Sequence, residues 1–106
     1  MSKEASAAAA LDRDMRAYMR GGQPSQVELT RSPNLDMWDV CVTREPNGER
    51  CLVLAGEVRG HPTLPNGKRI ETSPVMWLDR KHGWCRTRNR VYVLLDGAIP
   101  IDGIVT

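Results

Sequence analysis

Arginine dominates the chemistry available to this 106-residue chain, supplying twelve of its 15 basic side chains. Trp84, Arg86, Arg88 and Arg90 alternate, so a single strand running from 84 to 90 would carry all four on one face. A row of guanidinium groups beside an indole can follow phosphates, stack a base or fork onto carboxylates. With Arg80 and Lys81 just upstream, these six residues are the candidate binding set. A second reading makes Arg88-Asn89 the solvated turn of a hairpin. Residues 58–95 hold eight basic groups against only Glu71 and Asp79, an excess of six positive charges, while residues 1–57 hold seven basic and nine acidic groups. The molecule is therefore polarised, and an anionic counterpart is expected for its basic middle.

Other constellations are weaker. Cys41, Cys51, His82 and Cys85 are suitable zinc ligands by type, but the two halves lack the short Cys-x-x-Cys spacing of structural zinc sites. No metal or cofactor is expected, and the cysteines read as small buried side chains. With an odd number of them and no charged-then-apolar leader, the expected setting is reducing and cytoplasmic. His61 and Ser73, with Asp79 or Glu71, could be imagined as a small hydrolase site. Nothing marks Ser73 as a nucleophile, however, and no phosphate loop, G-x-S-x-G or H-E-x-x-H is present. Between Gly60 and Pro62, His61 reads as a rigid loop residue hydrogen-bonded to backbone. His82 sits beside Arg80 and Lys81, which disfavour its protonated form. No catalytic residue is assigned.

The elements that must position these residues follow from periodicity. Ser2 to Arg20 reads as a helix that frays at its start, with Leu11, Met15, Tyr18 and Met19 on one face and Gly21-Gly22 as its stop. That face packs on the domain's own sheet by default, and a partner helix or a second copy in a homodimer is the alternative. Pro24 to Leu29 fits a short helix, with a strand nearly as good. From Leu35 the period becomes two. Trp38, Val40 and Val42 share a strand face, and a turn at Glu45–Glu49 leads into a second strand from Cys51 to Glu57. That hairpin sets Val40 opposite Leu54 and Val42 opposite Leu52.

Gly60–Gly67 is a proline-stiffened loop. Arg69 to Leu78 is extended but interrupted by Pro74, so it must be bent, bulged or at an edge. Trp84–Thr87 and Val91–Leu95 pair as the last hairpin, and the apolar Ile99–Ile104 tail covers an edge or hangs free. The chain contains no Phe, so its three Trp must fill much of a thin core, with Trp38, Trp77 or both as anchors. No apolar run approaches the roughly 18 residues of a membrane span. The expected fold is one α+β domain over residues 1–106: helix 1–22, connecting segment 23–37, β-rich core 38–95 and tail 96–106. The helices pack on a small, strongly bent antiparallel sheet of about five strands, as in a partly open barrel.

Several segments resemble a group of small uncharacterised bacterial and phage-type proteins over about residues 23–95. They are Pro24–Leu29, Ser32–Trp38, Gly56–Gly67, Ile70–Val75 and Gly83–Leu94, and the G-H-P-x-L-P-x-G-x-x-I-x-T-S run from Gly60 to Ser73 is the most specific. The resemblance implies no activity and leaves the Ala-rich helix and the tail unexplained. Small proteins without catalytic motifs are often carried by mobile elements and bind a host complex. The function expected is therefore non-enzymatic binding to a larger protein or nucleoprotein assembly, for instance as an anti-CRISPR-like inhibitor of bacterial defence. The alternatives are sequence-tolerant DNA or RNA binding by the Arg-rich hairpin, and the hydrolase around His61 and Ser73.

Overall fold

The computed structural model describes residues 2–98. The expected Ile99–Ile104 tail lies outside them. Helix α1 spans Lys3–Met19, and its first turn is capped: Ser2 Oγ accepts from the Ala5 N–H at 3.1 Å. It ends in a Schellman motif, with the Gly21 N–H donating to Tyr18 O, the Gly22 N–H to Ala17 O, and Gly21 at φ 88°. Helix α2 spans Gln26–Arg31 and starts on Ser25, whose Oγ accepts from the Glu28 N–H. The helical reading of this segment holds.

Six strands follow: β1 Asn34–Arg44, β2 Arg50–Arg59, β3 Arg69–Glu71, β4 Val75–Asp79, β5 Trp84–Thr87 and β6 Val91–Leu94. In the β1–β2 hairpin Val40 does face Leu54, and Val42 faces Leu52. The β-rich core begins four residues earlier than Trp38. The alternation is masked there by a bulge between Asp36 and Asp39, at which Met37 takes a left-handed φ of 48°.

The spatial order of the sheet is β3-β2-β1-β6-β5-β4. Its two edges, β3 and β4, are consecutive in sequence and separated only by Thr72, Ser73 and Pro74. Laid flat, six strands would put the edges roughly 24 Å apart. The chain from Glu71 to Val75 can span about 14 Å at most. The sheet must therefore curl, and the extended segment read from the sequence as one bent strand crosses the seam and serves both edges. Thr72 donates to Leu54 O on the β2 side, and Pro74 O accepts from Arg88 on the other. No ladder joins β3 to β4, so the roll stays open along this line. Counted as one bent strand, β3 and β4 make five staves. An odd number of alternating staves brings the first and last together in the same direction, and β1 pairs with β6 in parallel. The sheet is thus mixed where an antiparallel one was expected.

The inside of the roll is filled from every strand. Leu35, Leu54, Val58, Cys85, Tyr92 and Leu94 form the buried cluster, with Trp38, Val40, Ile70, Val75 and Leu78 packed against it and Leu64 added from the β2–β3 loop. At its tightest point Leu35 lies over Gly56: a Cβ there would stand 2.8 Å from Leu35 Cγ and 2.9 Å from Asp36 O. A second cluster lies outside the roll. Tyr18 of α1 covers Trp84 and Val91, with Met15, Leu29 and Trp77 around them. The deepest indole is Trp84, at 1% exposure; Trp38 and Trp77 are half-buried at the margins of the two clusters. Helix α1 therefore packs on its own sheet. Only its second half does so, for residues Ser2–Ala9 are exposed on all sides. Among the described residues no helix is long and apolar enough to cross a membrane.

Gly56→Val should overpack the Leu35 contact and cost about 1–3 kcal/mol. Urea unfolding followed by tryptophan fluorescence measures this, and an unchanged midpoint would mean that β1 and β2 are less closely apposed.

Candidate functional site

All four residues of β5 are buried, which happens only when both faces of a strand are covered. Cys85 points into the roll, while Trp84 and Arg86 point outward. The sequence expectation that Trp84 and Arg86 share a face is met, but α1 occupies that face. Tyr18 packs on Trp84 with ring centroids 4.8 Å apart and on Trp77 at 5.8 Å. Arg86 is held at both ends: Nε donates to Asp14 Oδ2 of α1 at 3.2 Å, and Nη1 to Thr87 O at 2.8 Å. Its side chain is 6% exposed. A stacking role for Trp84 and a phosphate-tracking role for Arg86 would both require α1 to leave.

The row also stops at Thr87. The Thr87 N–H donates to Arg90 O, and Thr87 Oγ1 accepts from the backbone N–H groups of Asn89 and Arg90. Residues 87–90 are therefore a tight turn closed by a threonine hydroxyl, and the turn reading of Arg88-Asn89 is the correct one. Arg88 reaches Glu45 Oε1 at 2.7 Å. The Arg80 guanidinium lies 5.5 Å from the centre of the Trp38 ring, whose Nε1 donates to Leu95 O. Lys81 is exposed. The six expected binding residues thus do not gather on one open wall: two are under α1, two are engaged elsewhere, and only Lys81 and Arg90 have charged groups without a partner among the described residues.

A concave site nonetheless forms beside this hairpin. A cleft of about 700 Å³ opens between α1, α2, the start of the β2–β3 loop and the β5–β6 turn. Its charged walls are Arg13, Asp14, Glu28, Arg31, Arg86 and Arg90, four arginines to two carboxylates. Asp14 is engaged by Arg86 and, at 3.6 Å, by Arg13. Arg31 and Arg90 make no ion pair or side-chain hydrogen bond among the described residues. Arg90 belonged to the expected set; Arg31 did not. Nothing in the sequence links a helix-end arginine to a turn 59 positions later, and only the parallel placement of β6 beside the start of β1 brings them to one cleft.

The two histidines are structural in their contacts. His61 Nδ1 accepts from the Thr63 and Leu64 N–H groups at 3.1 and 3.2 Å, as expected of a rigid loop residue, so the neutral ring carries its proton on Nε2. Burial and the neighbouring Arg90 charge hold its pKa below the ordinary 6.5. No hydrogen bond joins it to Ser73. Thr72, which precedes Ser73, pairs with the middle of β2, whereas His61 lies beyond the end of that strand. His82 was expected to be dominated by Arg80 and Lys81, but its Nδ1 lies 2.8 Å from Asp79 Oδ2, and its backbone N–H donates to Asp79 Oδ1. Burial raises the Asp79 pKa, and these bonds from His82 more than offset it, leaving the carboxyl below its usual value. Burial pushes the Cys85 thiol up to about 12, which keeps it protonated and inert. The described residues contain no group of three or more metal-ligating side chains.

Two measurements check this assignment. Asp14→Asn, which strands Arg86 without a carboxylate, should cost about 3 kcal/mol in urea unfolding. The exposed Asp12–Arg16 pair is the contrast: Asp12→Asn should cost less than about 0.5 kcal/mol. For His61 the folded pKa is depressed, so the unfolded chain binds the proton more readily. Its contribution to stability is complete above the unfolded value and is lost as pH falls below it. An imidazole NMR titration of His61 with a midpoint at or above 6.5 would contradict its contacts.

No curated protein and no solved structure matches this chain. Residues 2–103 match the model of DUF6634, a family of unknown function. The kinship with uncharacterised proteins, drawn from the sequence over residues 23–95, thus extends to α1 and into the tail. The chain belongs to the DUF6634 family.

Proposed function

We propose that this protein is a non-enzymatic binding protein that acts by covering a surface of a larger protein assembly, with the arginine-lined cleft at the centre of the contact. The observation that supports this reading is the contrast among the guanidinium groups. Arg16, Arg86 and Arg88 are matched to carboxylates within the molecule and Arg80 to an indole. Of the arginines without an ion pair or side-chain hydrogen bond among the described residues, Arg20, Arg50, Arg59 and Arg69 lie outside the cleft, whereas Arg31 and Arg90 line it. Charge left unpaired in a cleft suits recognition, because a partner can desolvate it and complete its hydrogen bonds.

Direct nucleic-acid binding is the weaker reading. It called for an indole and a row of arginines on one open face, and the cleft carries no aromatic side chain on which a base could stack. The hydrolase reading needed His61 and Ser73 around one concavity, and the cleft walls include neither. The narrower form of the proposal is an inhibitor of a bacterial defence complex working in the cytoplasm, where the three free cysteines stay reduced.

Affinity capture from a lysate of the source cells, with and without nuclease, tests the proposal. Enrichment of a protein complex that survives nuclease is the expected result. No enriched partner would overturn it, and retention abolished by nuclease would transfer the function to nucleic acid.

A further inference from the structure

We infer that the occupant of the cleft is a short acidic segment of a partner protein, whose carboxylates are taken by Arg31 and Arg90 and whose apolar side chains rest against Val27 and Pro62. This rests on the binding reading above and deepens it. The cleft, about 700 Å³, is open to solvent along its length, which suits a segment laid across it rather than an enclosed small molecule. Its chemistry is mixed. Val27 is 60% exposed on α2, and Pro62 lines the same cleft from the loop that His61 stiffens. Guanidinium groups beside small apolar surfaces suit a peptide with alternating carboxylate and aliphatic side chains.

A phosphate backbone fits less well. It brings no aliphatic side chain to Val27 and Pro62, and the cleft walls carry no aromatic side chain on which its bases could stack. The molecule already binds a carboxylate in this cleft, for Asp14 is gripped by Arg86 from the β5 side and approached by Arg13 from its own helix. An incoming acidic side chain would repeat that interaction at the two arginines left over. The loop bearing Pro62 is fixed before binding: Asn66 Oδ1 accepts from the Gly60 N–H at 2.8 Å, and the Gly67 N–H donates to Val58 O at 2.7 Å. The loop itself then loses little ordering entropy when the cleft is filled.

The test is fluorescence anisotropy at low salt with three labelled probes: a short peptide alternating Asp and Leu, the same peptide with Lys for Asp, and a short oligothymidylate. The Asp-Leu peptide should bind saturably, and Arg31→Glu and Arg90→Glu should each weaken it about tenfold, whereas Lys81→Glu, outside the cleft, should leave it unchanged. Circular dichroism of each variant confirms that it is folded, and Arg31→Gln and Arg90→Gln repeat the test without charge reversal. Absence of saturable binding to the Asp-Leu peptide, equal binding by the variants, or preference for the oligothymidylate would each overturn the inference. A nuclease-resistant partner captured without any peptide binding would sink this inference and leave the binding reading standing. Failure of both experiments would remove both.

Discussion

A stretch of three residues, Thr72 to Pro74, must carry the chain from one edge of the sheet to the other, and most of the architecture follows from that restriction. It forces the sheet into a roll. The roll creates an inside, which six strands and Leu64 fill with aliphatic and aromatic side chains, and an outside, which needs separate cover. Since the bent strand leaves an odd number of staves, β1 and β6 run side by side in parallel, and the N-terminal helices arrive next to the last hairpin. Pro74 suits the corner because it has no N–H to leave unpaired there.

The outside face explains what became of the arginines. Trp84 and Arg86 alternate with interior residues along β5, as their spacing requires, but a strand of a rolled sheet has two faces, and α1 settles on the second. Tyr18 supplies the ring that covers Trp84, and Asp14, one turn earlier on the same helix side, supplies the charge that neutralises Arg86. The arrangement carries a cost, since Trp84 Nε1 is buried without a hydrogen-bond partner among the described residues and the Tyr18 hydroxyl has only the neighbouring Arg86 guanidinium beside it. Burial, with the nearby Asp14 carboxylate adding to it, pushes the Tyr18 phenol up to about 12.

Local features were legible in the sequence wherever one segment decides them. Helix α1 and its glycine stop, the β1–β2 register, the 84–95 hairpin and the backbone role of His61 follow from residues close together in the chain. What depended on distant partners was not legible. Nothing near Arg86 announces Asp14, 72 positions away, and nothing near Pro74 says that a bend there would join opposite edges of one sheet. The bulge at Met37 hid the first strand residues, because an extra residue shifts a period-two pattern out of phase. Arg31 went unnoticed as a site residue for the same reason as Asp14: its significance lies in what folds opposite it.

The seam has one more consequence, for how the molecule would come apart. A nick at the tip of the β1–β2 hairpin, around Asn47 and Gly48, would cut a loop whose two arms remain zipped along nine paired positions. A nick between Thr72 and Pro74 would be of another order. It would untether both margins of the sheet in one event, each left as a ribbon of three to five residues bonded along a single side. The shortest link in the chain is thus the rivet of the open roll, and a protease reaching it would free the curled wall to unroll.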